Sequence, residues 1–464
     1  MLFFLSHETR KQASSLSVVL LIYRRTLFWG GEAFTILEVM LQPPMAVREK
    51  YCSRILVATI FLIVLVSTLG LASNWNSATD WNQFLGPQRD GSVRTSPPQT
   101  PWPDAGPELV WSRKVGEGFA GPVVSGGRLI LFHRQANREI VECLNAQSGR
   151  TLWVFDYPSG YRDDFGFDEG PRATPVINRG KVFTFGAQGV LTAASLNAGR
   201  KLWSVETHRQ FGVRKGFFGA AGSPLVEADK IFANIGGPNG AGLVAFDANT
   251  GDILWTANRD EASYASPMGA NLGGFRRVLF FTRNGLLVTS LEGEVVFDFP
   301  WRSRSRASVN AAVPLVVDDQ IFLSASYNTG AALLQLAGNK LEKVWASDES
   351  LSNHYATSVV HQGYLYGFHG RQEYGQSLRC VEWATGRVVW SHEGLGAGTV
   401  TLVSDQLLIV SERGELIQAE ATPQEFRPLA RAQILEGVVR AYPAYSNGFL
   451  YARDTQQLAC FRLP

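Results

Sequence analysis

The most concentrated chemistry in the sequence lies in residues 352–375, SNHYATSVVHQGYLYGFHGRQEYG. His354 and His369 lie at almost equal distances on either side of a turn near Gln362, so a hairpin would place the two imidazoles opposite each other, with Arg371 beside them. A histidine pair can bind a metal ion or transfer protons. Because no third ligand follows and no H-E-x-x-H motif occurs, the sequence predicts hydrogen-bonding histidines and no metal site.

A second set of candidates surrounds a recurring small residue. Eight short apolar segments each follow a small residue, as expected where the inner strands of a ring converge on its axis. Polar and aromatic side chains at or next to that position would line a central funnel: Arg172, Tyr264, Asn310, His354, Tyr355 and Arg440. Arginine offers a planar fork of donors to an anionic or hydroxylated ligand. The alternative is that these side chains only fill and hydrate the funnel.

The elements that would position these residues repeat along the chain. An apolar strand, a glycine turn and a tryptophan recur at 143–153, 193–203, 245–255 and 380–390. Weaker copies occur at 287–297 and 335–345, and the unit at 398–435 has lost both the glycine and the tryptophan. Each unit is long enough for a four-stranded sheet. The predicted fold class is therefore all-β, an eight-bladed β-propeller of four-stranded blades over residues 108–464.

The two ends of this region complement each other. Residues 441–464 supply three strands, and ELVWSRKV at 108–115 supplies an outer strand without inner ones. We therefore expect the N-terminal strand to join the C-terminal blade, which removes the free sheet edges. One aromatic side chain per blade would dock against the next blade: Trp111, Trp153, Trp203, Trp255, Phe297, Trp345 and Trp390. Cys143, Cys380 and Cys460 recur at one position of different blades, which predicts buried thiols and no disulfides.

The N-terminal region indicates export. Residues 1–44 are interpreted as an over-long gene start or a disordered segment. Residues 45–72 have basic residues before the apolar run 55–72, which is typical of a signal peptide or a membrane anchor. We therefore predict an exported protein, either periplasmic or anchored to a membrane through residues 55–72 and facing the periplasm.

Residues 73–107 are rich in proline and polar side chains. They predict an extended strap across the propeller, with Trp81 and Phe84 tucked into its rim. The formal net charge is only +2, and the basic surplus lies near the N-terminus. This balance excludes an electrostatic case for nucleic acid as a partner.

The repeat also carries a family resemblance. The pattern A-x-D-x-x-T-G-x-x-x-W, cleanest at Ala245, Asp247, Thr250, Gly251 and Trp255, resembles the tryptophan-docking repeat of PQQ-repeat (quinoprotein alcohol dehydrogenase-like) propellers. That family includes quinoprotein alcohol dehydrogenases, the propeller scaffold of the bacterial outer-membrane assembly machine, and exported proteins of unassigned function. For the dehydrogenases the resemblance implies PQQ, an adjacent cysteine pair touching the quinone, and a calcium site. This chain has no adjacent cysteine pair.

Two functional hypotheses follow. The favoured one is a non-catalytic, cofactor-free propeller outside the cytoplasm that binds a protein or a polymer such as a polysaccharide and acts as a scaffold. The alternative is a PQQ- and calcium-dependent alcohol or sugar oxidoreductase with a divergent site.

Overall fold

The computed structural model describes residues 19–29, 32–42, 80–98, 102–103, 105–305 and 309–463. The chain divides into two compact units, residues 1–73 and 74–464. In the first unit, β1 (Val19–Trp29) and β2 (Glu32–Gln42) form an antiparallel hairpin. The candidate export signal at residues 45–72 lies outside the described residues. Within the described ranges, the search for a helix long and apolar enough to cross a membrane finds none.

The second unit contains eight sheets of antiparallel strands, and in seven of them four successive strands follow one another from the axis outwards. In blade one the inner strand is fully buried, whereas the outer strand contains only exposed and half-buried residues, as in a sheet packed on one face. The strands of blades one and two are β5 (Val123–Ser125), β6 (Arg128–Gln135), β7 (Arg138–Asn145), β8 (Thr151–Pro158), β9 (Val176–Asn178), β10 (Lys181–Phe185), β11 (Val190–Ser195) and β12 (Lys201–Glu206).

A single helical turn, α1 (Thr207–Phe211), follows blade two. The strands of blades three and four are β13 (Leu225–Glu227), β14 (Lys230–Gly237), β15 (Ala241–Asp247), β16 (Ile253–Ala257), β17 (Met268–Leu272), β18 (Phe275–Phe281), β19 (Gly285–Thr289) and β20 (Val295–Pro300). Those of blades five and six are β21 (Leu315–Val317), β22 (Gln320–Ala325), β23 (Gly330–Ala337), β24 (Lys340–Ser347), β25 (Val359–His361), β26 (Tyr364–His369), β27 (Ser377–Glu382) and β28 (Val388–His392), with a 3-10 turn at Gln372–Tyr374.

The last two blades include strands from the N-terminal side of the propeller. Blade seven has β29 (Gly398–Val403), β30 (Gln406–Ser411), β31 (Glu415–Glu420) and β32 (Pro428–Gln433), and the short β3 (Ser92–Val93) pairs parallel to β29. Blade eight has β33 (Ala444–Ser446), β34 (Phe449–Arg453) and β35 (Gln457–Arg462), and its outer strand is β4 (Glu108–Lys114). β4 is antiparallel to β35, with Trp111 opposite Cys460. The predicted eight-bladed all-β propeller is confirmed.

Tryptophan and glycine from different blades meet at the outer seams. The Nε1 of Trp255 in blade three donates to the carbonyl of Leu291 in blade four, at 3.0 Å. Gly293 of that turn has φ +93°, and a Cβ there would lie 2.6 Å from the Trp255 ring. The glycine of one blade is therefore required by the tryptophan of the blade before it. Equivalent indole–carbonyl bonds are made by Trp111, Trp153, Trp203, Trp345 and Trp390.

Residues 80–98, here called the strap, follow the inner strands instead of the rim. Trp81 is 1% exposed, and its carbonyl accepts the Val124 N–H of β5 at 2.8 Å. Asn82 exchanges two hydrogen bonds with Ile177 of β9. The expected rim position of Trp81 and Phe84 is therefore wrong, because the strap completes backbone hydrogen bonds that the innermost strands leave open.

The strap then crosses the central channel. The buried guanidinium of Arg89 donates to the carbonyls of Pro267 and Ser223, at 2.7 and 2.6 Å, just before the inner strands of blades four and three. Residues Ser92–Val93 then join blade seven. Residues 84–89 of the strap form turns, and Ser92–Val93 pair with β29.

Candidate functional site

A cavity of about 330 Å³ lies on the face of the ring where the inner strands begin, here called the funnel face. Phe84 of the strap lines it and contacts Tyr442 edge-on, with 5.2 Å between ring centroids. The other walls are also strongly aromatic. The rings that line this central cavity are Phe84, Phe119, Phe167, Phe218, Tyr264, Tyr327, Tyr355 and Tyr442.

Arg172 lines the central cavity from the loop before β9. Its guanidinium lies 5.6 Å from the ring centroids of Phe119 and Phe218, within range of cation–π attraction. Its Nη2 is 3.4 Å from the Oδ1 of Asp163, whose side chain is fully buried. The positive charge of Arg172 is thus balanced within the protein.

Arg440 lines the same cavity from the loop before β33. Its Nε donates to the Oε1 of Glu412 at 2.6 Å. The guanidinium lies 5.4 Å from the centroid of Phe119 and 5.2 Å from that of Phe167. Each cavity arginine therefore has a carboxylate partner and stacks on aromatic rings, which suits an uncharged or aromatic occupant better than an anion.

His354, Tyr264 and Tyr355 also line the central cavity, as predicted from the sequence. The Nε2 of His354 is 2.9 Å from the hydroxyl of Tyr327, and burial lowers the pKa of His354, which favours the neutral imidazole. The hydroxyl of Tyr264 accepts the Phe218 N–H at 3.4 Å. The buried hydroxyl of Tyr355 has no hydrogen-bond partner among the described residues, and burial raises its pKa.

Asn310 does not face the central cavity, contrary to the sequence prediction. Its side chain is fully buried, and Nδ2 donates to the carbonyls of Thr282 and Trp301, at 2.9 and 3.1 Å. Its backbone carbonyl accepts the N–H groups of Tyr264 and Ala265. Asn310 therefore joins blades four and five and holds Tyr264 in place.

The structure also separates the two histidines that the sequence places opposite each other. His369 and Arg371 line a different cavity, of about 440 Å³, whereas His354 lines the central one. The Nδ1 of His369 accepts the Ser352 N–H at 3.1 Å, and burial lowers its pKa to about 4. Arg371 stacks on Tyr327 at 4.4 Å. The separation arises because His369 is within β26, whereas His354 lies in the loop five residues before β25.

The acidic loop at 161–170 uses its carboxylates to order its own backbone. Asp163 accepts the Phe167 N–H at 2.6 Å, and Asp168 accepts the N–H groups of Gly118 and Gly170, at 3.0 and 2.7 Å. Arg134 fixes the same loop from below, through the carbonyls of Tyr161 and Glu169. Across the described ranges, a group of three or more His, Cys, Asp or Glu able to hold a metal ion is not found.

An exposed aromatic group that was not predicted from the sequence lies beside the cavity, here called the Phe cluster: Phe165, Phe167, Phe217 and Phe218. Phe165 and Phe167 are 54% and 53% exposed, and Phe217 is 39% exposed. The Phe165 centroid lies 5.8 Å from that of Phe217 and 5.4 Å from that of Phe218. The signal was present as phenylalanines flanked by glycine and charge, in DDFGFDE and RKGFFGA.

The central cavity does not fit the quinone and calcium that the dehydrogenases imply. Its two arginines are already paired with Asp163 and Glu412, so they offer no free charge to an acidic quinone. The described cysteines are free and buried in the blades, and none of them lines the cavity.

The sheets, the indole–carbonyl seams and the axial funnel define a propeller of the PQQ-repeat class. Residues 103–266 and 137–392 match the family model described as outer membrane protein assembly factor BamB, and the chain belongs to this family.

Two curated relatives match the sequence. The chain is 22% identical over 332 residues to the outer membrane protein assembly factor BamB of Shewanella oneidensis, covering 67% of this chain and 78% of the relative. It is 30% identical over 159 residues to the dehydrogenase subunit of the quinone alcohol dehydrogenase of Acetobacter aceti. That second match covers 32% of this chain and only 21% of the relative.

Solved structures share the fold. BamB from Moraxella catarrhalis superposes with a TM-score of 0.56 at 16% identity, covering 76% of this chain and 97% of that one. A quinohemoprotein alcohol dehydrogenase from Pseudomonas putida HK5 superposes with a TM-score of 0.53 at 13% identity, covering 83% and 80%. At these identities the likeness concerns the fold alone.

Proposed function

We propose that this protein is an exported, non-catalytic binding module of the outer-membrane protein assembly machinery. It holds a protein partner on the funnel face and works as a periplasmic or membrane-anchored scaffold, with residues 55–72 as its export signal or tether. Membership of the BamB family supports the proposed role in outer-membrane protein assembly. The observation that carries the binding role is the exposed Phe cluster.

The Phe cluster has the character of a protein-binding hot spot. Large exposed aromatic groups are uncommon on isolated proteins, and aromatic side chains supply much of the energy of protein interfaces. Phe218 contacts Tyr264, with 5.4 Å between centroids, so the cluster is continuous with the aromatic wall of the central cavity. A partner side chain could therefore pack on the cluster and reach into the cavity.

The loops that carry the cluster are ordered before any partner arrives. Asp168 and Arg134 fix the backbone of the loop between blades one and two. Ion pairs join Lys215 to Asp164 at 2.5 Å and Arg162 to Glu169 at 3.0 Å around the rings. A polar rim around an apolar centre is the usual anatomy of an interface, and a rigid surface loses less entropy on binding.

Site-specific photo-crosslinking tests the proposal. A benzophenone side chain in place of Phe165 should form a covalent adduct with a protein of the outer-membrane assembly machinery in the native cell envelope. Phe275 provides the matched control, because it is 64% exposed in the hairpin between β17 and β18, on the opposite face. Equal adducts at both positions, or none at Phe165, would contradict the proposal; a polysaccharide partner predicts the second result.

A further inference from the structure

A second cavity lies off the axis, beside blades two, three and four, and of the Phe cluster only Phe217 lines it. Its volume is about 450 Å³, in the range of small-molecule sites. The walls come from α1, the loop at 212–222, the glycine-rich hairpin at 236–240 and the loop before β17. We call it the basic cavity, because Arg214, Lys215, Arg259 and Arg283 line it.

The charges of the basic cavity do not balance. Lys215 is paired with Asp164 and Arg283 with Glu261, each at 2.5 Å. Arg214 and Arg259 line the same cavity and form no ion pair with any residue in the described part of the chain. Burial lowers the pKa of His208 to about 4, so that imidazole adds no charge near neutral pH. Two uncompensated positive charges remain.

The cavity also contains an unpaired amide. Both polar atoms of the Asn234 side chain are buried and have no hydrogen-bond partner among the described residues. Asn234 lies on β14 at a register shift and lines the cavity. A buried amide without partners is unfavourable, and a ligand with acceptor and donor groups would satisfy it.

We infer that the basic cavity binds a small phosphorylated molecule. A phosphate monoester carries close to two negative charges at neutral pH, which matches Arg214 and Arg259, whereas one carboxylate would balance only one of them. The Asn234 amide would bind hydroxyl or phosphate oxygens. Phe217 and Tyr264 supply apolar walls for the organic part of the ligand. The central cavity differs, because both of its arginines are already paired.

Calorimetric titration of the purified protein with glucose 6-phosphate, and with glucose as the uncharged probe, tests this site. Wild type should bind glucose 6-phosphate and not glucose. The variant Arg214→Gln/Arg259→Gln should bind roughly 100-fold more weakly, because each charged hydrogen bond contributes a factor of about ten or more. Both arginines are exposed, so the melting temperature should not change.

Two control variants locate the binding. Arg150→Gln removes an exposed arginine from the turn after β7, outside the cavity, and should change affinity by less than about twofold. Arg440→Gln alters the central cavity and should also leave affinity unchanged. The inference is overturned if wild type binds no glucose 6-phosphate, if Arg150→Gln weakens binding as much as the double variant, or if only Arg440→Gln weakens it.

The phosphate could belong to a free metabolite or to a lipid headgroup, and a second arm distinguishes them. Sedimentation with phosphatidylcholine vesicles, with and without phosphatidic acid, is compared between wild type and the double variant. Vesicle binding that needs both phosphatidic acid and the two arginines assigns a lipid headgroup. Binding of glucose 6-phosphate without vesicle binding assigns a soluble ligand. Neither result depends on the proposed protein partner.

Discussion

The seam between blades three and four differs from the seam between blades seven and eight. At the first, Trp255 of one blade packs under Gly293 of the next. At the second, β32 carries no tryptophan, and blade eight has no hairpin to receive one, because its two outer strands, β35 and β4, come from distant parts of the chain. The comparison shows that the repeat motif describes a contact between blades: β16 carries a tryptophan where blade four offers a turn, and β32 carries none where blade eight offers no turn.

Removing the tryptophan from a seam should have the largest effect on stability. We expect Trp255→Ala to lower the free energy of unfolding by about 3–5 kcal/mol, because it leaves a cavity and removes the bond to Leu291. Leu254→Ala, at a 45% exposed position of the same strand, should cost less than about 1 kcal/mol. Chemical denaturation measures both. A loss below about 1 kcal/mol for Trp255→Ala would show that the seam is not a stabilising contact.

Changing the glycine tests the other side of a seam. Gly251 has φ +81°, and a Cβ there would lie 2.8 Å from the Trp203 ring, whereas Gly338 has φ +63° with open space around it. Both alanine variants should lose about 1 kcal/mol from the positive φ, and Gly251→Ala should lose about 1–3 kcal/mol more from the clash. Equal denaturation midpoints for Gly251→Ala and Gly338→Ala would mean that the positive φ alone requires these glycines, and that the tryptophan ring does not.

Acidification should weaken the seam between blades eight and one. Burial, and next the charges of Arg453 and Arg113, lower the pKa of His133 to about 3, and its Nδ1 accepts the Gly116 N–H at 2.8 Å. His133 is therefore protonated near pH 6.5 in the unfolded chain but only near pH 3 in the folded protein. The contribution of neutral His133 to the free energy of unfolding is fully present above pH 6.5. It decreases as the pH falls, by up to about 1.4 kcal/mol per pH unit.

His133→Asn isolates this contribution. Asparagine keeps an acceptor for Gly116 and does not titrate, so the variant should lose about 1–2 kcal/mol less than wild type between pH 6.5 and 5. The measurement is the free energy of unfolding at several pH values. His208 and His369 also have pKa values lowered to about 4, but they titrate in both proteins. Parallel pH profiles would contradict the assignment.

A substitution in the Phe cluster should have the smallest effect on the free energy of unfolding. We expect Phe217→Ser to change the free energy of unfolding by less than about 0.5 kcal/mol, because the side chain is exposed and lies in a loop. The same variant should abolish the partner adduct formed from position 165. A large loss of stability would instead make the cluster part of the core.

The tryptophan contacts at the outer seams were easier to predict from the sequence than the side chains of the funnel face, for a physical reason. The seams repeat, so Trp111 and Trp255 occur in a pattern that can be aligned. Arg172 and Arg440 were found because the inner strands fix the residues that precede them. One position earlier, Asn310 points back into the blades and bonds to Thr282.

Non-repeating segments gave no comparable pattern. The Phe cluster assembles from two loops of unlike sequence, and the pairing of Arg89 with Pro267 carbonyl joins residues 178 positions apart. Such contacts depend on the finished ring, so local spacing could not reveal them. The basic cavity was missed for the same reason, since Arg214 and Arg259 belong to different interblade loops.

The strap has a consequence for the order in which the molecule matures. Gln418 donates to the Pro98 carbonyl across 320 residues, and Arg453 donates to the Gly116 carbonyl across 337. A growing chain therefore presents its N-terminal segments, β3 and β4, long before their partner strands β29 and β35 have been synthesised. Until then neither segment has its partner strand, and a nonsense codon within blade seven leaves β4 without the other three strands of its sheet.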